Sequence, residues 1–177
     1  MEQMTIRKEK IGDFETVYKL IKSAFEMADL SKHDEQDLVV RLRESAAFMP
    51  ELSLVAENHE KIVGHVLFTK ALIRDGLTEH VTVVLAPVSV LPSFQGQGIG
   101  SRLIEEGHKA ARKLGFTSSL LVGHPSYYPR FGYKPAGGFG ITTNLDLAPD
   151  VFMACELVHS GLKGVKGGLI FTPEFRL

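Results

Sequence analysis

Residues 80–124 hold the pattern that most constrains the fold. A β-branched run, "HVTVVLAPVSVLP", passes through "SFQGQGIG" into the helical pattern "SRLIEEGHKAARKLGF" and then into a second β-rich run, "TSSLLVGH". Strand, glycine-rich turn, helix and strand make a βαβ unit, and a helical crossover makes its two strands parallel. The first run is apolar almost throughout, as expected of a central strand buried on both faces. Pro87 interrupts it. Proline cannot donate to a ladder, so the strand is expected to bulge or part from a neighbour there. In the helix, Leu103, Ile104, Gly107, Ala110, Ala111 and Leu114 line one face, with Arg102, Glu105, Glu106, Lys109, Arg112 and Lys113 opposite. Gly115 fits the position after its last turn.

The flanking sequence adds elements to this unit. "TIRKEK" reads as a first strand, and Asp13 as the N-cap of a helix from Phe14 to about Met27 carrying Val17, Leu20, Ile21, Ala24 and Phe25. A second helix, about Asp34 to Ser45, carries Leu38, Val39 and Leu42 on one face. "LSLVAENHEKIVGHVLFTKALIR" has two β-rich runs around a polar turn and reads as a hairpin. These runs make the residue 80–92 strand the fourth and "TSSLLVGH" the fifth. "PSYYPRFGY" reads as a short helix or turn before a β-rich C-terminal third. A chain of 177 residues without an internal repeat fits one domain, able to bury roughly two thirds of the surface its unfolded form exposes.

Charge and composition narrow the function classes. With 20 Lys+Arg against 21 Asp+Glu the net charge is -1, a poor basis for a nucleic-acid partner because phosphate binding depends on clustered cations. No stretch approaches the length of apolar sequence that spans a membrane, and the N-terminus lacks an apolar signal region, so a cytoplasmic location is expected. Cys155 is the single cysteine, in apolar "VFMACEL", and reads as a buried structural thiol. The seven histidines show no metal-ligand spacing, so no metal is expected.

Three glycines at alternate positions before a helix invite an anion. The first N–H groups of a helix are unpaired and its dipole attracts negative charge, while glycines let a ligand approach the backbone. A simple connecting turn is the bland alternative. A dinucleotide fingerprint would need a third glycine where Ser101 stands, and a phosphate-binding P-loop would need a lysine that is missing. Gln95, Gly98 and Gly100 instead match the spacing [QR]-x-x-G-x-[GA]. On this signature, with "LAPVSVLPSFQGQGIGSRLI" and "SYYPRFGYKPA", the chain resembles the GCN5-related N-acetyltransferases (the GNAT superfamily), and more narrowly its YhbS-type branch.

The resemblance covers about residues 4–155 and implies an α/β (α+β) GNAT fold: a mixed central sheet, splayed between strands four and five, with helices on both faces. Residues 1–155 would be the GNAT domain, and 156–177 a β-rich extension completing the same domain. Acetyl-CoA would lie in the splay as co-substrate. Val88, Ser89 and Val90 would pair with its pantetheine arm, and the backbone of Gln95, Gly96, Gln97, Gly98, Ile99 and Gly100, with Ser101 at the helix start, would hold its pyrophosphate. By the family pattern Y-x-x-x-G-[FY], Tyr128 would be the general acid facing the CoA sulfur, and Tyr133, where a phenylalanine is usual, would be core. Tyr127 and Tyr128 packing beside the sheet is the plainer reading.

Many relatives carry a glutamate on the fourth strand, which here has no acid. The general base stays open among Glu156, His65, His124 and a water chain, with His65 also readable as a core histidine. The expected activity is transfer of acetyl from acetyl-CoA to a primary amine of a small molecule or peptide, by direct attack in a ternary complex. A non-catalytic acyl-CoA-binding sensor is the alternative that the missing acid allows. Acceptor choice would rest on "MADLSKHDEQD" and the C-terminal third, and homodimers are common in the family.

Overall fold

The computed structural model describes residues 3–29 and 31–177. Met1, Glu2 and Leu30, the last within "MADLSKHDEQD", lie outside them. Among the described residues, nine strands form one mixed sheet: β1 (Met4–Lys8), β2 (Ser53–Asn58), β3 (Lys61–Asp75), β4 (Thr78–Val90), β5 (Ser118–Val122), β6 (Lys134–Pro135), β7 (Ile141–Thr142), β8 (Phe152–Glu156) and β9 (Gly167–Ile170). The main order is β1-β2-β3-β4-β5-β8-β6, and β9 pairs with the far end of β3 and with β7. Helices α1 (Phe14–Phe25) and α2 (Glu35–Arg43) follow β1, and α3 (Ile99–Lys113) joins β4 to β5.

The long β2–β3–β4 meander is local in origin. β2 and β3 turn through His59 and Glu60, both at positive φ (47° and 63°), which two-residue hairpin turns of primed type require. β3 and β4 then pair antiparallel from Asp75↔Thr78 to Gly64↔Val90. The register slips where Val66 faces Val88 and Phe68 faces Leu85, so Leu67 stands against both Ala86 and Pro87. This is the bulge expected at Pro87, and the Ala86–Pro87 peptide is cis.

Two faces of the sheet carry separate cores. On one, α3 packs Leu103, Ile104 and Ala111 against Leu54, Val66, Phe68 and Leu85. On the other, Val17, Leu20 and Ile21 of α1 and Val39 and Leu42 of α2 cover Val55 and Leu67. Each fully buried leucine or isoleucine contributes roughly 1.5–3 kcal/mol, so these two layers hold the helices to the sheet. Glycines set how closely α3 approaches. A Cβ at Gly107 would stand 2.2 Å from Cε2 of Phe68, and one at Gly64 would stand 2.9 Å from Cδ1 of Leu103. These contacts fix the start of α3 beside the end of β4.

Boundaries differ from the sequence reading in three places. Asp13 does not cap α1 with its side chain. A short 3₁₀ turn, Ile11–Asp13, precedes the helix, and the Asp13 carboxylate turns back to accept from the Lys10 N–H and the Arg7 guanidinium. α3 begins at Ile99, not Ser101, because Gly98 at φ 80° turns the chain into the helix earlier. α1 and α2 are each about two residues shorter at their C-terminal ends than periodicity alone gives.

Candidate active site

β4 and β5 run parallel but pair only at Val83↔Ser119 and Val84↔Leu120. β4 continues to Val90 with its other edge still held by β3. Beyond Val84, then, one edge of β4 faces a gap rather than a strand. Val122, the last residue of β5, is 44 % exposed beside it. A parted pair of parallel strands offers unpaired backbone groups at the C-terminal ends of the strands, where open α/β sheets place their ligands.

The glycine-rich turn closes one end of this gap. Gln95 anchors it: its Nε2 donates to the Val90 carbonyl at 3.0 Å, and its own N–H is spent on the Pro92 carbonyl at 3.3 Å. The free donors therefore start at the next residue. From Gly96 to Ser101 no backbone N–H has a backbone partner among the described residues. Gly96 and Gly98 take φ of 76° and 80°, the left-handed region that turns successive amides outward. Gly100 is needed for another reason, since a Cβ there would stand 3.1 Å from the Tyr127 hydroxyl.

The segment after β5 forms the opposite wall. A 3₁₀ turn over Tyr128–Phe131 places Tyr128 half-buried at the end of β5. Its ring lies on Gly123 and meets Tyr127 edge-on with centroids 5.0 Å apart. Burial, with a smaller push from Tyr127, raises the Tyr128 phenol to about 12, so it stays protonated well above neutral pH. Tyr127 leans across the mouth of the gap toward Gly100, its ring under the Arg130 guanidinium at 4.6 Å. Tyr133 is fully buried, and its hydroxyl is bonded to His108 Nε2 and Ser119 Oγ, both at 2.8 Å. That is a core tyrosine with its polar end satisfied.

Comparison with known proteins points the same way. An acetyltransferase (GNAT) domain model matches residues 50–135. The chain is 41% identical over 127 residues to the uncharacterised N-acetyltransferase YjhQ of Escherichia coli K12, covering 71% of this chain and 70% of that protein. This chain belongs to the GNAT N-acetyltransferase family. It is also 28% identical over 173 residues to YhbS of the same organism, covering 97% and 98% of the two chains. The crystal structure of YhbS from Escherichia coli in complex with CoA superposes with a TM-score of 0.89 at 25% identity, over 100% of this chain and 94% of that one. A GNAT family acetyltransferase from Brucella melitensis, in complex with acetyl-CoA, gives 0.79 at 31% identity over 99% of each chain.

Within this GNAT acyltransferase fold, the base candidates separate by position. Glu156 pairs with Ser118 at the far end of β5 from the gap, and its Oε2 accepts the Leu162 N–H at 3.0 Å. His124 is exposed, and its carbonyl accepts the Tyr127 N–H. His65, on β3, is completely buried and sits in a charged cluster. Glu9 accepts a two-point bond from Arg43, with Nη2–Oε2 at 2.7 Å and Nε–Oε1 at 3.1 Å. Ser53 donates to Glu9 Oε1 at 3.0 Å and meets His65 Nε2 at 3.1 Å. Glu9 Oε2 lies 3.5 Å from the same nitrogen. Burial lowers His65 to about 4, Glu9 pulling it up and Arg43 pushing it further down. Sequence reasoning finds His65 but not Glu9, Arg43 or Ser53, which come from three other segments. Cys155 is buried beside the Phe131 carbonyl, and burial raises its thiol to about 11, so it is no nucleophile.

Proposed function

We propose that this GNAT protein transfers the acetyl group of acetyl-CoA to a primary amine by direct attack in a ternary complex. The observation that carries the reading is the run of free N–H groups from Gly96 to Ser101, at the start of α3 and beside the unpaired edge of β4. Such amides at a helix N-terminus suit a pyrophosphate. The pantetheine arm then lies along the gap-facing edge of β4 over Val88, Ser89 and Val90 and carries the thioester into the gap toward Tyr128. The CoA and acetyl-CoA bound to the two structural relatives support this donor.

In the reaction the amine nitrogen attacks the thioester carbonyl carbon, the carbonyl electrons move to oxygen, and the adduct collapses with loss of the CoA thiolate. In this reading Tyr128 gives its proton to that sulfur. A general acid in this role contributes typically 10²–10⁴-fold. The proposed acceptor is a small molecule or peptide bearing a primary amine. A thiol-release assay with acetyl-CoA and a panel of metabolite amines and peptides tests the reading. Acceptor-dependent release above the hydrolysis background supports it, and no release with any amine overturns it.

A further inference from the structure

The acetyl-transfer reading leaves the proton on the attacking nitrogen without a destination, because β4 carries no acid in its gap-facing half. The cross-strand pair His65↔Ser89 offers one. Residues directly opposite in an antiparallel pair point to the same face, with Cβ atoms about 5 Å apart. His65 is 0% and Ser89 3% exposed, and neither His65 Nδ1 nor Ser89 Oγ has a hydrogen-bond partner. A buried polar atom left unpaired costs stability and calls for an explanation. Two of them, on facing residues, beside backbone already proposed to hold the pantetheine arm, point to a shared task.

The tautomer follows from the other side of the ring. The Ser53 hydroxyl gives its proton to Glu9 Oε1, so its lone pairs and Glu9 Oε2 both face His65 Nε2 as acceptors. The ring proton therefore belongs on Nε2, which leaves Nδ1 as a bare acceptor without a partner. Arg43 holds Glu9 in place from α2, stacked on the Phe14 ring at 4.0 Å. α1 adds apolar Val17, Leu20 and Ile21 to this face. Tyr128 packs against the core on the α3 face, so the two groups lie on opposite faces of the sheet on either side of the thioester path.

We infer that Ser89 takes the proton of the attacking nitrogen while passing its own to Nδ1 of His65, with Glu9 and Ser53 as the groups that orient the ring. Ser89 touches the amine; His65 is a positioning and proton-holding residue acting through it. As the C–N bond forms, the nitrogen becomes cationic and more acidic than the free ammonium, and collapse of the adduct to the neutral amide draws its proton onto the Ser89–His65 pair. One proton leaves the nitrogen for the Ser89–His65 pair and one leaves Tyr128 for the sulfur. After product departs, solvent returns a proton to Tyr128 and removes one from His65. The relay requires a Ser89 rotamer that brings Oγ to Nδ1 and to the bound amine.

The inference rests on the acetyl-transfer reading, and its test separates the two. Ser89→Ala keeps the backbone groups of β4 and is expected to lower kcat about tenfold or more at neutral pH, with acetyl-CoA affinity by calorimetry within about twofold. The deficit narrows toward about pH 10, where hydroxide takes the same proton, and Ser89→Thr retains most of kcat. A kcat within about twofold of wild type, or a deficit equal at every pH, overturns the relay while leaving acetyl transfer intact. Long-range ¹⁵N correlation NMR of the wild type needs no acceptor: a His65 Nε2–H tautomer supports the relay, and an Nδ1–H tautomer overturns it. Absence of turnover by the wild type overturns the acetyl-transfer reading itself, and the catalytic role of Ser89 with it.

Discussion

The ring of Tyr128 lies so close to Gly123 that a Cβ at that glycine would stand 2.3 Å from its Cε2 and 2.8 Å from its Cδ2. Gly123 follows the last residue of β5, so the fit ties the phenol to the end of the strand that borders the gap. Gly123→Ala forces the ring away. It is expected to lower kcat by about tenfold or more, since displacements near 1 Å carry costs of that order or larger, with acetyl-CoA affinity little changed. An unaltered kcat would show that Tyr128 does not need this seat.

Tyr128→Phe removes only the hydroxyl. Acetyl transfer is expected to fall by about 10²–10⁴-fold in kcat with KM for the acceptor nearly constant. Because burial holds the phenol up at about 12, Tyr128 gives no alkaline limb below about pH 11 in the wild-type rate profile. Wild-type rates for the phenylalanine variant, or a limb near pH 10 that it abolishes, would contradict the assignment.

Gly98 combines two constraints, a left-handed φ of 80° and a place in the run of free amides. Open space surrounds it, so Gly98→Glu meets no steric clash. Its expected effects are a loss of about 1 kcal/mol in stability from the backbone and loss of measurable acetyl-CoA binding from a carboxylate set beside phosphate. Calorimetry and urea unfolding separate the two. Retained affinity would remove the pyrophosphate from this turn.

Much of this site is local in sequence and legible there. Glycine spacing, a strand on one side and an amphipathic helix on the other are all read within residues 80–124. Pro87 announces its bulge because a proline inside an apolar strand has few structural options. By pattern Gln95 belongs to the cradle, yet the folded turn spends its amide on Pro92 and its side chain on Val90. Only the three-dimensional turn shows that. The cluster of Glu9, Arg43, Ser53 and His65 has no periodicity or spacing, because four separate segments bring it together through β-pairing and the packing of α2. Tyr127 reaching Gly100 is likewise a tertiary contact between distant segments. Asp13 departs from the capping role its position suggests because Arg7 on β1 claims its carboxylate.

Two buried imidazoles make the fold sensitive to acid. Burial holds His65 and His108 each at about 4, whereas both titrate near 6.5 when unfolded. Between these values the unfolded chain binds more protons, so stability falls as pH drops from about 6.5 to 4 and is fully present above that window. Each histidine is expected to remove about 2 kcal/mol between pH 7 and 5. Urea unfolding at the two pH values measures the drop, and His108→Gln should reduce it by about half. A pH-independent midpoint over this range would contradict the burial of neutral rings.

Gly107 tests the seating of α3. A Cβ there would stand 2.2 Å from Phe68, deep in the core. Gly107→Ala is expected to destabilise the protein by about 1–3 kcal/mol through overpacking, despite the better helix propensity of alanine. A stabilised variant in urea unfolding would show that the helix has room to move.

Calorimetric titration of the wild type with acetyl-CoA bears most directly on the central claim, because acetyl transfer, the cradle and the roles of Tyr128 and Ser89 all require the cofactor between β4 and β5. Saturable binding of one acetyl-CoA per chain, lost in Gly98→Glu and kept in Tyr128→Phe, is the predicted result. No saturable heat with the wild type, or equal binding by Gly98→Glu, would contradict it.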